Sequence, residues 1–337
     1  MKVLDQDPFL VAEADPDGLV AAVLATARED LGLDLIFTSD TRPIRGHPSI
    51  DVVSPDGSLL GTLTSRHHLR RSDFRSVVAL AGLLGRRLGQ ERLGPDALLE
   101  QAQRIRRVLH EQSLQAALQP IFDLKGGGIV GYEALARFPP VPGVSTQLWF
   151  AEAEAAGLGL QLERAAARAA VALFETLPGS TFLAINASPA LAVDRCFRES
   201  IRDLPHERLV IEMTEHAAVE DYDRFEQRLM RRRLEGVRLA VDDTGAGFAS
   251  LRHILRLRPD LIKLDISLVR GVDLDPLRQS LVAAVVGFAG SLGSAVVAEG
   301  LESDAELQKV QALGVQLGQG FLLGVPKVQP VVALAAS

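Results

Sequence analysis

Beyond Leu114 the chain alternates short apolar, often β-branched runs with longer stretches whose apolar residues recur at helical spacing. The runs "GGIVGYEALARF", "FLAINAS", "RLVIEMTE", "RLAVDD", "DLIKLD" and "SAVVAEGLE" read as strands, whereas "FAEAEAAGLGLQLERAAARAAVALFETL" and "DRFEQRLMRRRLEG" read as helical. Such alternation predicts βα units and a largely parallel sheet. About 220 residues with roughly eight strand candidates suit a barrel. The stretch from Leu281 to Ala298, "LVAAVVGFAGSLGSAVVA", has the length of a membrane span, but Gly287, Gly290, Ser291, Gly293 and Ser294 interrupt it. It reads as helix, turn and buried strand.

Ahead of this pattern lies a different one. Between Asp17 and Gln90 the chain offers a helix, "DGLVAAVLATARED", a strand, "LDLIFTS", an alternating pair of strands around Pro55-Asp56-Gly57, and a second helix, "FRSVVALAGLLGRRLGQE". That order describes a small α+β module. With "PDGSLLGTL" it resembles the last part of a GAF sensory domain, in a shortened form. The basic cluster Arg66, His67, His68, Arg70 and Arg71 has no interleaved aromatic residues and reads as a solvated loop. "GPDALLEQAQRIRRVLHEQ" has helical spacing and little Gly or Ser, so a stiff connecting helix is expected, and it is a candidate for mediating dimerisation. The expected division is residues 1–93 for the GAF-like module, 94–112 for the connecting helix and 98–330 for the barrel.

Composition narrows the partners. The 337 residues are 47% hydrophobic, enough for more than one core, and the formal net charge is -7. No basic stripe exists to grip a polymeric nucleic acid, so DNA or RNA binding is not expected. The single cysteine, Cys196, excludes an internal disulfide and a cysteine-based zinc site, and is expected to be a partly buried helix residue. Acids and a proline near the N-terminus argue against a signal peptide. A cytoplasmic protein without membrane attachment is expected.

The strand ends carry the chemistry. Glu133, Asn186, Glu212, the adjacent Asp242 and Asp243, Lys263 with Asp265, and Glu299 with Glu302 close six strand candidates. In a barrel of parallel strands those ends converge on the face where active sites lie. A single acid after a strand is commonly a helix cap or turn former, but six such ends are hard to explain that way. Clustered carboxylates repel and resist ionisation unless cations sit among them. Oxygen ligands without cysteine or a spaced histidine pair select hard ions, so Mg2+ or Mn2+ is expected in a two-ion site. Strict strand alternation would send Asp242 and Asp243 to opposite faces. Where the chain turns at a strand end both can serve neighbouring ions, an arrangement suited to phosphoester hydrolysis.

"YEALAR", the Asn186 motif, "EMTE", "DDTGAG", "KLD", "AEGLE" and "QGFLLGVP" follow one another in an order that resembles the EAL domain family. The resemblance implies a modified TIM (β/α)8 barrel with one antiparallel strand, the first, and a phosphodiesterase that opens cyclic di-GMP to linear pGpG. It implies Glu133, Asn186, Glu212 and Asp242 as ligands of one ion, and Asp242, Asp243 and Glu299 as ligands of a second. Lys263 would orient or polarise the attacking water, with Glu299 sharing in proton removal and Glu133 also counted as catalytic. Gln119, Arg137, Gln319, Asp265 and Glu302 are implied around the substrate. Arg137 lies four residues after Glu133, hence on the same strand face, and its fork suits a phosphate. Glu215 would brace the loop after the paired aspartates, and Gly245 and Gly247 would let it turn. That loop has Thr244 where the family commonly has phenylalanine. Because the loop couples dimer contacts to metal binding in the family, a homodimer is expected and its regulation is open. A catalytically silent barrel that binds cyclic di-GMP or a protein partner is the alternative reading.

Overall fold

The computed structural model describes residues 20, 23–25, 27–28, 33–38, 48–53, 59–65, 77, 80–81, 95–214, 225, 227–229, 233, 235–244 and 254–328. They fall into two compact units. One comprises those up to Gln103 together with Val141–Ala156, the other Arg104–Pro140 together with those from Gly157 on.

In the first unit β1 (Leu35–Thr38), β2 (Ser49–Val53) and β3 (Leu59–Ser65) form an antiparallel sheet in the order β1-β3-β2. The helical residues Val20, Val23, Ala27, Val77 and Ala81 are buried with Leu35, Phe37, Val52, Leu60 and Leu63 in one cluster. Helix positions at intervals of three and four thus share one buried cluster with residues of all three strands, which makes this an α+β layer. Pro55-Asp56-Gly57 and the basic cluster lie outside the described residues. The helix Thr146–Ala155 is capped by Ser145, whose hydroxyl accepts the Leu148 N–H at 3.2 Å, and its Trp149 is buried.

The second unit is a closed barrel. Its strands are β4 (Gln115–Asp123), β5 (Ile129–Arg137), β6 (Phe182–Asn186), β7 (Leu209–Thr214), β8 (Arg238–Thr244), β9 (Leu261–Leu264), β10 (Ala295–Ala298) and β11 (Leu317–Gly318). From β5 to β11 every neighbouring pair is parallel. β4 runs antiparallel to both β5 and β11 and so closes the ring with one reversed strand. A two-residue β12 (Lys327–Val328) also pairs with β4, opposite Leu118 and Ala117. Pro120, in the middle of β4, falls between that pairing and the one of Phe122 and Asp123 with β11. A residue without an N–H is tolerated there because neither short strand reaches it on that side.

Two apolar layers position the site. Outside the barrel, Ile185, Ile211 and Leu239 pack with Leu173, Phe174 and Leu191, while Ile262, Leu264, Val296 and Ala298 pack with Val282, Ala289 and Val310. Inside, Ile121, Phe182, Ala184, Val210, Ala240, Leu261 and Val297 form a plug. The segment with the length of a membrane span is the end of the helix Pro276–Leu292, Gly293 at φ 76° and then β10. Among the described residues no helix is long and apolar enough to cross a membrane. Cys196 departs from expectation: it is exposed on the short helix Arg195–Ser200, where its neighbour Phe197 takes the buried face.

The plug sets a tolerance at Gly131, where a Cβ would lie 2.4 Å from the Phe182 ring. Gly131→Ala must push that ring off its place in the barrel centre, and is expected to cost about 1–3 kcal/mol of stability. Urea unfolding of the purified variant beside the parent measures it.

Candidate active site

Two residues beyond each plug position the barrel interior turns polar. The period of two along a strand places Glu133 beyond Gly131 on β5, Asn186 beyond Ala184, Glu212 beyond Val210, Asp242 beyond Ala240 and Lys263 beyond Leu261. Glu299 follows Val297, Gln319 follows Leu317, and Gln119 precedes Ile121 because β4 runs the other way. One polar layer thus caps one apolar plug at the end of the parallel strands.

Lys263 stands at its centre, 1% exposed. Its Nζ lies 2.7 Å from Glu299 Oε1, 3.0 Å from Glu212 Oε2, 3.3 Å from Glu133 Oε2 and 3.4 Å from Asp242 Oδ1. Glu133 is held by two further residues of the layer, one of them braced in turn by a third. Asn186 Nδ2 donates to its Oε1 at 2.8 Å, Gln319 Nε2 donates to its Oε2 at 2.8 Å and also to Gln119 Oε1 at 2.9 Å, and Gln119 Nε2 donates to the Gly324 carbonyl at 3.1 Å.

The paired aspartates occupy an irregularity in the ladder. Val241 pairs with Ile262 and Thr244 with Leu264, so Asp242 and Asp243 together stand opposite Lys263 alone. A bulge of this kind breaks alternation and re-aims a side chain, which is the physical reason two adjacent acids can sit at one strand end. The Asp243 side chain, Glu215, Gly245 and Gly247 lie outside the described residues.

The charges are strongly coupled. Burial would push the Glu133 carboxyl up, but the Lys263 ammonium and the donors Asn186 and Gln319 bring it below the usual value of 4.5. Glu212 rises well above that value because burial, joined by the charges of Glu133 and Asp242, outweighs Lys263. Burial likewise lifts Glu299 to about 8. For Lys263 burial opposes the charge, yet the four acids hold it well above the ordinary lysine range.

The remaining sequence candidates sit apart from the lysine's contacts. Arg137 ends β5, half-buried, with Nη1 donating to the Ala136 carbonyl at 2.9 Å. Asp265 is spent on a cap: its Oδ1 accepts the Ser267 N–H at 2.8 Å at the start of the helix Ile266–Val269. Glu302 pairs with Arg270. Sequence reasoning missed Glu306, a buried acid whose Oε1 accepts the Gly271 N–H at 2.8 Å and whose Oε2 accepts those of Glu302 and Ser303, each at 3.1 Å. It ties the segment after β9 to the one after β10. Its signal was available as the capping box formed by Ser303 and Glu306 at the helix Asp304–Ala312. No pattern in the sequence announced Arg270.

The donor set suits hard divalent ions. Four carboxylates and an amide oxygen are the ligands Mg2+ and Mn2+ take. If all four acids ionise, one ammonium leaves an excess of three negative charges (four minus one) in a buried layer. Among the described residues no three His, Cys, Asp or Glu side chains already enclose a common point; Lys263 stands between them.

Fold and site together define an α/β barrel with an oxygen-rich acidic layer at the carboxyl ends of its parallel strands. The EAL domain family profile matches residues 102–326, and the chain belongs to that family. It is 34% identical over 227 residues to the cyclic di-GMP phosphodiesterase PA2567 of Pseudomonas aeruginosa, covering 64% of this chain and 39% of that one. It is 29% identical over 312 residues to the cyclic di-GMP phosphodiesterase RocR of the same species, covering 87% and 76%. Three curated relatives are spanned over only 28% to 39% of their length. Among solved structures, a PaMucR phosphodiesterase complex with c-di-GMP superposes with TM-score 0.61 at 27% identity, covering 68% of this chain and 98% of that one. A manganese and cyclic di-GMP complex of Klebsiella pneumoniae BlrP1 superposes with TM-score 0.56 at 34% identity, covering 64% and 58%.

A pH dependence follows for the metal-free protein. Glu299 ionises near 4.5 when unfolded and near 8 when folded, so between these values the folded state binds more protons. This contribution to stability is full below 4.5 and is lost as pH rises through about 8; Glu212 acts in the same sense. In EDTA the melting temperature should fall across that window, and Glu299→Gln should flatten the decline. Calorimetric scans at a series of pH values check both.

Proposed function

We propose that the barrel is a metal-dependent phosphodiesterase that hydrolyses cyclic di-GMP to linear pGpG. The observation that carries this reading is the convergence of Glu133, Asn186, Glu212, Asp242, Lys263 and Glu299 in one layer at the carboxyl ends of the strands. The relatives named for this activity support it. Glu133, Asn186, Glu212 and Asp242 are assigned to one ion, and Asp242, Asp243 and Glu299 to a second. When bound, Mg2+ or Mn2+ supplies Lewis-acid polarisation of the phosphodiester and of the attacking water.

The chain's own groups do the rest. Asn186 and Gln319 fix both oxygens of Glu133, so this acid enters the reaction pre-oriented. Lys263 Nζ opposes negative charge that develops at phosphorus, and Glu299 takes a proton at its carboxylate from the attacking water. Arg137, at the end of β5, is assigned to a substrate phosphate through its planar fork. The apolar plug beneath the layer excludes bulk water from below. Glu302, Asp265, Gln119 and Gln319 support the substrate side of the site, and Glu215 with Gly245 and Gly247 the loop after the aspartates. The N-terminal α+β unit is assigned a regulatory role as a shortened GAF-like domain. A homodimer in the cytoplasm, without polymeric nucleic acid or membrane as partner, completes the reading; exposed Leu274, Leu277 and Leu281 support self-association, and the single cysteine supports a reducing compartment.

Purified protein with Mg2+ or Mn2+ should convert cyclic di-GMP to pGpG in a chromatographic product assay. Glu133→Ala should lower the rate by at least about a hundredfold. No product with either ion would end this reading, and tight dinucleotide binding without turnover would mark a receptor instead.

A further inference from the structure

In the acid layer the point where the carboxylates converge is held by a side-chain cation. Lys263 reaches four carboxylates within 3.4 Å from a position 1% exposed. Among the described residues, Glu133, Glu212 and Glu299 have no other lysine or arginine as an ion-pair partner. Like charges this close in a low-dielectric layer repel strongly, so without the ammonium the acids that remain ionised beside it would have to protonate or move apart. They are not free to move apart equally. Glu133 is pinned by Asn186 and Gln319, and Glu212 lies within the β7 ladder opposite Ala240. The lysine itself cannot leave easily, because its carbon stem is packed in the barrel interior with Leu261 beneath it on the same strand.

We propose that Lys263 is the site's resident counter-cation: it holds the acids in register while no metal is bound, and a divalent ion binds by taking these carboxylates over from it. This rests on the metal-dependent reading of the same site. Ammonium and metal compete for the same oxygen lone pairs, so the lysine sets both the stability of the metal-free barrel and the metal concentration needed to load it. It acts as a positioning residue before loading, in addition to any part it takes once substrate is present.

The test uses the full chain, without nucleotide. Lys263→Met keeps the length of the side chain and removes its charge. In EDTA its melting temperature should drop by roughly 10 °C, because four acids, three of them buried, lose their partner. Titrated with MnCl2 in a calorimeter, it should bind at least about tenfold more tightly than the parent, a gain of about 1.4 kcal/mol. Equal or higher stability in EDTA, or an unchanged or weaker Mn2+ affinity, would overturn the proposal. Should Lys263→Met fail to fold, Lys263→Met combined with Glu212→Gln removes one of the repelling acids; recovery of folding supports the counter-charge role and continued failure refutes it. Hydrolysis by the parent is scored separately. Loss of turnover with the metal competition intact would sink only the phosphodiesterase reading, and turnover with unchanged Mn2+ affinity in the variant would sink only this one.

Discussion

The barrel's upper layer is organised around one ammonium group buried among acids. A lysine 1% exposed is untenable without compensation, and four carboxylates at contact distance are equally untenable without a cation. Each therefore makes the other possible, and the strands must deliver all five groups to the same height. They do so because the plug beneath, from Ile121 to Val297, fixes strand register by ordinary packing. The apolar layer is thus the template from which the polar one is built. Phe182 fills the centre of that template only because β5 carries glycine beside it.

Much of this was legible from residue pattern. Six strands announced themselves by a β-branched run closed by an acid, amide or lysine, and the convergence of strand carboxyl ends on one barrel face then grouped Glu133, Asn186, Glu212, Asp242 and Lys263. The reversed direction of β4 has no signature in periodicity, since alternation is blind to strand direction; it followed from family resemblance. β11 and β12 are two residues each, too short to show any period, and their pairing depends on the closed ring rather than on their own sequence. The bulge at Asp242–Asp243 left only an indirect trace, the juxtaposition of two acids that strict alternation would have separated. The cap made by Asp265 is local and is the ordinary reading of a lone acid after a strand, whereas the pairing of Glu302 depends on where Arg270 falls in space.

The two segments that follow β9 and β10 are held by polar braces as well as by the burial of Leu268, Val269, Val272 and Leu301. Glu306, set in a helix, gathers three backbone N–H groups from both segments, and Arg270 pairs with Glu302 across the same gap. Backbone donors at a rim are otherwise left to water. Spending a buried carboxylate on them converts two independent connections into one braced unit, which explains why the chain beyond Glu299 can turn sharply and still hold its acids steady.

The seam where the first and last strands meet has a further consequence. β11 contributes a ladder of only Leu317 and Gly318 to β4, and Pro120 interrupts the donors just beyond it. What spans the interruption is a chain of amides: Gln119 reaches Gly324, Gln319 reaches Gln119, and Gln319 ends on Glu133. This short joint of the cylinder is thereby fastened through a residue of its chemical centre. A breathing motion that parts this joint takes from Glu133 one of its donors while Asn186 and Lys263 keep hold of it, so the mechanical state of the seam is felt directly at the chemical centre.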